Sequence, residues 1–361
     1  MSDLLGALNI SEAAAERTYV NTLGQRQVFD EVQKLMARYN AELDVIKRLF
    51  IERSTEDRKF RYYLPGGGRL QRRGGDGRSG AVKAGGSWDV GFPLEDFGAE
   101  FSEGNDVVMA YMTAAQLDRH LKTVFVQDTN TVRFEILYAL FHNVARTFKD
   151  EIWGDITVQP LASGDSTVYP QVLGSETQTT DNHYLESGYL AAAISDTNNP
   201  FLTLRDELEE HFGAPTGGSN IVVFHNQAQT AIIESLTNFE EVFDSRVQPG
   251  ANENTLMNLP ASMPGRVIGR TDSCWNVEWR WMPANYLVAL HLDAPPPLIE
   301  RIDIAESGLG SGFQLVAKDG EFPLESALYR HRFGLGVGSR LSAVVMELGN
   351  GGTYTIPTAY A

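Results

Sequence analysis

The chain of 361 residues holds a single cysteine, Cys274. One thiol excludes internal disulfides and thiolate zinc clusters, and it fits a chain made in a reducing cytosol. No apolar run approaches the ~20 residues that a membrane span requires, so no membrane partner is expected. The opening MSDLLGALNISEAAAERTYV has no basic start followed by an apolar stretch, so it does not read as a secretory signal. Positive charge is scarce: 30 Lys and Arg face 47 Asp and Glu, a formal net charge of −17. That balance argues against a general nucleic-acid binder, which needs a basic surface.

Signatures of catalysis are lacking as well. There is no G-x-x-x-x-G-K-[ST] phosphate loop, no G-x-S-x-G elbow, and no H-x-H or H-E-x-x-H pair. The histidines, at 120, 142, 183, 211, 225, 291 and 331, are scattered. Glu207 and His211 stand four apart on an expected helix beside Glu209 and Glu210, which reads as a solvated face. Cys274 lies in an expected strand and reads as a small core residue. Trp275, Trp279 and Trp281 alternate, as on a strand with one apolar face, and read as core. GLGVGS at 334–339 resembles a nucleotide cradle, but fewer than thirty residues follow it, too few for the rest of a βαβ unit. A turn or close backbone packing explains it better. No cofactor or metal site and no coherent active site emerge.

What is present has a clear order. Phe29, Val32, Met36, Tyr39, Leu43, Ile46 and Phe50 step alternately by three and four, lining one face of a helix over about 26–53. That face fits docking on the body, on a neighbour, or a coiled-coil seam, and residues 1–57 read as a separate N-terminal arm. KFRYYL and GSWDVGF read as strands flanking a tip rich in glycine, a long ribbon reaching roughly 50 Å at ~3.3 Å per residue. Ile136, Leu137, Leu140, Phe141, Val144, Phe148 and Ile152 predict a rod-like helix over 131–152, capped by Asn130 or Thr131 and stopped at Trp153-Gly154. From about Asn199 the pattern alternates between helix and strand, with NIVVFHN a buried strand, and a last strand returns near the end.

Charge is partitioned with this order. From Arg58 to Trp88 eight basic residues face one acid, Asp76, a local +7 that leaves −24 for the remainder. A basic ribbon gains order by lying across an acidic surface, each pair weak but many adding. If that surface is an identical subunit, the contact is head-to-tail and propagates into rings or shells. The expected contact residues are Arg69, Arg72, Arg73, Arg78, Lys83 and Trp88. The alternative is a flexible basic loop that touches nucleic acid or nothing.

In this order of elements the chain resembles the tailed-phage major capsid proteins of the Hong Kong 97 fold. The resemblance is carried by FRYYLPGGGRLQRRGGDGRSGAVKAGGSWDVGF, by TNTVRFEILYALFHNVARTF after it, by PANYLVALHLDAPPPLIERID, and by YRHRFGLGVGSRLSAVVMELG with YTIP near the end. It spans almost the whole chain, without one diagnostic motif. It implies an α+β fold: an N-terminal arm (1–57), an extended hairpin loop or E-loop (58–99), a peripheral domain (100–200 and 325–361) with its spine helix at 131–152, and an α/β axial domain (201–324). It implies a head protein, not an enzyme, that assembles with identical subunits into pentamers and hexamers of an icosahedral shell. Other implied partners are a separate scaffolding protein, a portal protein and enclosed double-stranded DNA held by non-specific contact. The implied location is the virion, with the host cytoplasm during assembly. Some such proteins cross-link a loop lysine to a neighbour's asparagine; Lys83 and Asn350 are the available pair, but no matching glutamate is found, so no cross-link is expected. Two other readings stay open: an encapsulin-type compartment shell, and a soluble α/β enzyme or ligand-binding protein.

Overall fold

The computed structural model describes residues 4–63, 87–101, 111–169, 180–212, 220–241, 264–317 and 327–361. Three short helical turns, α1 (Leu4–Ala7), α2 (Glu12–Ala15) and α3 (Val20–Leu23), lead into α4 (Gln25–Lys47). The three–four spacing does line its buried face: Val32, Met36, Tyr39 and Leu43 are buried, joined by Val28 and Leu35. The chain's own body covers that face. Tyr39 stacks on Phe125 at 4.6 Å between ring centroids and meets Phe313 edge-on at 5.9 Å. The helix stops at Lys47, six residues before the expected end, and Ile51–Thr55 continue as strand β1. At the stop the Lys47 ammonium lies 2.6 Å from the Glu300 carboxylate, both buried. The described residues of the expected arm, 4–57, thus contribute Leu4, Val20, Val28, Val32, Leu35, Met36, Leu43 and Phe50 to the core of the body.

The long helix is α5, Ala114–Phe141, of 28 residues and about 42 Å. It starts seventeen residues earlier than 131 and ends eleven before 152. Thr113 and Gln116 make a reciprocal capping box, which satisfies amides that the first turn leaves open. Asn130 and Thr131, expected as caps, lie inside it; the Thr131 hydroxyl donates to the Gln127 carbonyl at 3.0 Å, one turn back. Beyond His142 the chain forms a hairpin, β5 (Arg146–Asp150) and β6 (Gly154–Val158). The Asp150 carboxylate accepts the amides of Ile152 and Trp153, each at 2.9 Å, and so builds the turn. Val144, Ile152 and Trp153 are exposed there rather than buried on a helix.

Two sheets carry the core. In the first, β17 (Ala327–Val337) is the spine: β16 (Phe313–Ala317) and β4 (Glu95–Phe101) flank its first part, and β15 (Leu298–Arg301) pairs with its last four residues. Strand β1 adds to β15 in parallel. The second sheet runs β11 (Phe239–Glu241), β12 (Arg266–Thr271), β13 (Cys274–Glu278), β10 (Ile221–His225), β14 (Tyr286–His291), β18 (Ala343–Glu347), β9 (Tyr184–Glu186). It is buried on both faces, which is why NIVVFHN reads as unbroken apolar sequence. Val222, Phe224, Val288 and Val345 face α4, α5 and the first sheet. Ile221, Val223, Leu287 and Val344 face Phe201, Leu204 and Leu208 of α6 (Pro200–Phe212) and Ile233 of α7 (Gln227–Ile233).

The sheets do not follow the boundaries expected at 200/201 and 324/325. Strand β18, grouped with the peripheral pieces, lies in the second sheet between β14 and β9. Strand β15, grouped with the axial piece, pairs with β17. Returning strands from the last fifty residues complete both sheets. Cys274 is fully buried, and burial pushes its thiol up to about 12. Of the three tryptophans, Trp279 is buried, Trp275 is half-buried and Trp281 is 37% exposed, because β13 ends at Glu278 and the alternation stops there. Among the described residues, no helix is long and apolar enough to cross a membrane.

Candidate functional site

The two strand-like ends of the expected ribbon pair as their sequence suggests, while its tip, residues 64–86, lies outside the described residues. Strand β2 (Lys59–Tyr63) pairs antiparallel with β3 (Ser87–Gly91), Tyr62 opposite Trp88 and Arg61 opposite Asp89. Alternation then sorts the side chains. Phe60, Tyr62, Trp88 and Val90 turn to the body with Phe92 and Ile299. On the other face Asp89 takes Lys59 and Arg61, each at 2.7 Å. The Arg61 and Lys59 hydrogen bonds hold the Asp89 carboxyl well below the usual carboxylate range.

Trp88 sits at the root of the ribbon, stacked on Tyr62 at 5.6 Å and tilted against Tyr169 at 5.4 Å. Tyr169 is itself fully buried, with the Arg340 guanidinium 5.5 Å from its ring centre. Arg340 is buried too; it donates to the carbonyls of Pro160 and Leu161 and pairs with Asp165 at 2.8 Å. Arg69, Arg72, Arg73, Arg78 and Lys83 lie outside the described residues.

Glycines bring the ribbon root close to the first sheet. A Cβ on Gly334 would overlap the Pro93 carbonyl, and one on Gly336 would stand 2.7 Å from the Phe92 ring and 2.9 Å from the Gly91 carbonyl. The GLGVGS run is thus strand β17 and its exit, kept bare so that residues 91–94 can cross it. Arg301 locks the crossing: it donates to the Phe92 carbonyl at 3.0 Å and pairs with Asp150 at 2.8 Å. At the tip of the β5–β6 hairpin, the Arg58 guanidinium lies 4.4 Å from the Trp153 ring centre. The ribbon base is therefore held by packing, one buried ion pair and a cation–π contact.

A second cluster contradicts the reading of Glu207 and His211 as a solvated face. The His211 side chain is only 4% exposed, with Nε2 2.7 Å from Asp181 Oδ2 and 3.3 Å from Glu210 Oε1. His183, fully buried, presents its own Nε2 2.8 Å from the same Asp181 oxygen. Asp181 lies in β8 (Thr180–Asn182), which pairs with β7 (Ser163–Val168). Burial pushes the nearby Glu207 carboxyl up to about 7. The D-x-H of Asp181 and His183 was visible in sequence, but the third member sits on a helix that only tertiary packing brings to it.

No protein-family profile matches the chain, and no curated protein sequence does. Solved structures do match. A chain of Mycobacterium phage Patience superposes with a TM-score of 0.68 at 20% identity, over 91% of this chain and 89% of that one. The asymmetric unit of the bacteriophage PhiM1 mature capsid gives 0.49 at 9% identity, over 84% and 86%. A virus-like particle from Pyrococcus furiosus gives 0.36 at 12% identity, over 87% and 99%. The likeness to the Patience chain concerns the fold alone, a mixture of helix and sheet. The mixed helix-and-sheet architecture expected from the order of elements is shared with that chain.

Proposed function

We propose that this chain is a major capsid protein, which assembles with identical subunits into pentamers and hexamers of an icosahedral shell around double-stranded DNA. Its role is structural rather than catalytic. The observation that supports this reading is the fold shared with the phage Patience chain over about nine-tenths of both chains. In this reading residues 58–99 form the extended loop, rooted by Trp88 and Arg301, and Arg69, Arg72, Arg73, Arg78 and Lys83 lie across an acidic face of a neighbour. A loop anchored firmly at its base and basic at its tip suits contact in trans: the root fixes direction and the tip supplies many weak attractions. Scaffolding and portal proteins, and assembly in a host cytoplasm, belong to the same proposal.

The test is to express the chain alone and with a candidate scaffolding protein, and to image it by negative-stain electron microscopy. Closed shells are expected. Reversal of Arg72, Arg73 and Arg78 to Glu should abolish shells while circular dichroism shows a folded subunit. Subunits that stay monomeric in every condition would overturn the assembly reading, and shells unaffected by the reversal would overturn the electrostatic one.

A further inference from the structure

The geometry points to a divalent transition-metal site of the Zn2+ class at His183, His211, Asp181 and Glu210, on the face where α6 meets the β8–β9 segment. Three side-chain atoms converge: His183 Nε2 and His211 Nε2 stand 2.8 Å and 2.7 Å from Asp181 Oδ2. Asp181, His183 and His211 form one set of metal-capable ligand atoms within 4.8 Å of one another, and Asp181, Glu207 and Glu210 form a second. Asp181 is common to both.

The hydrogen-bond chemistry of His183 is what asks for a cation. Its Nδ1 lies 2.7 Å from the Ala343 carbonyl oxygen, which can only accept, so Nδ1 carries the proton. A neutral ring then has a bare lone pair at Nε2. That atom is fully buried and makes no hydrogen bond, although a carboxylate oxygen is 2.8 Å away. Two acceptors facing each other without a donor are unfavourable in a buried setting. A bound metal ion removes the conflict, as would a second proton on the ring, and metal retention tells the two apart. A ligating histidine whose other nitrogen is fixed by a carbonyl is the usual outer-shell arrangement around zinc.

Distances are compatible after a small opening. Tetrahedral bonds of ~2.0–2.1 Å separate neighbouring ligand atoms by about 3.3 Å. His211 Nε2 to Glu210 Oε1 is already 3.3 Å, and the two contacts to Asp181 need to widen by about 0.5 Å. Two imidazole nitrogens with carboxylate oxygens suit zinc or a neighbouring transition metal rather than magnesium or calcium, which take oxygen ligands alone. Such a metal would staple α6 to the segment that carries β8 and β9, and it would stabilise the folded chain by mass action. None of this depends on shell assembly.

The experiment strips the full-length chain with EDTA, dialyses it against Zn2+, and measures retained metal by mass spectrometry. One Zn2+ per chain and a higher unfolding temperature with Zn2+ but not with Mg2+ are expected. His211→Ala and Asp181→Asn, checked for fold by circular dichroism, should each weaken retention by at least about tenfold. No retained Zn2+, or equal retention in both variants, overturns the site. If a variant fails to fold, Co2+ added to the wild-type chain decides: the intense visible absorption of four-coordinate cobalt is expected, and its absence overturns the proposal.

Discussion

The Arg301 guanidinium lies 2.8 Å from the Asp150 carboxylate, and both side chains are 6% exposed. The pair joins the first sheet to the β5–β6 hairpin, and Arg301 also holds the Phe92 carbonyl. Removing one member strands a buried charge. Arg301→Met should destabilise the chain by about 3–5 kcal/mol, seen as a lower urea midpoint at unchanged slope. The double change Arg301→Met with Asp150→Asn should recover part of that loss. An unchanged midpoint in the single variant would show that the pair does not clamp the root.

Gly334 and Gly351 offer a matched contrast. A methyl at Gly334 meets the Pro93 backbone, which cannot swing aside, whereas one at Gly351 has only Glu186 Oε1 at 3.9 Å. Gly334→Ala should cost about 1–3 kcal/mol or more by overpacking, and Gly351→Ala should stay within about 0.5 kcal/mol. Thermal unfolding of the two variants side by side checks it.

Glu135, half-buried on α5, is pushed up to about 7 by burial, with Glu95 adding and Arg146 opposing. A carboxyl whose folded pKa exceeds its unfolded one holds its proton more tightly when folded. Its contribution is therefore full below about 4.5, falls as pH rises to about 7, and is flat above. Glu135→Gln removes this slope: wild type and variant should match near pH 4.5, and the variant should have the higher urea midpoint at pH 8. Parallel pH profiles would contradict the assignment.

The sequence made some elements plain and disguised others. The face of α4 was legible because its partners repeat without interruption from Val32 to Leu43. The first half of α5 was hidden by Asp118 and Asp128, buried acids on the apolar stripe. Asp118 accepts the Leu4 amide at 3.1 Å, and Asp128 holds the Tyr39 hydroxyl and His331 Nδ1, each at 2.7 Å. These partners are far away along the chain, so no local pattern announces them. Conversely, Val144, Phe148 and Ile152 fall four apart and imitate a helix, while the Asp150 turn makes them a hairpin.

The same limit governs the sites. The ribbon strands were readable because pairing and alternation are local. The function of GLGVGS as bare backbone was foreseen in kind, but its partner, residues 91–94, was not. The histidine cluster escaped because twenty-eight residues separate His183 from His211, and only the packing of α6 on the second sheet joins them.

Among the described residues, strand β9 pairs only with β18, Tyr184 opposite Val345 in the register. During synthesis at about 5–20 residues per second, the earlier strand waits roughly 10–30 s before its partner leaves the ribosome. Until then β14 has an open edge on that side, and a nascent chain cannot close its second sheet. Completion of this sheet therefore waits for residues 343–347, and a chain stopped before them lacks the strand that joins β14 to β9.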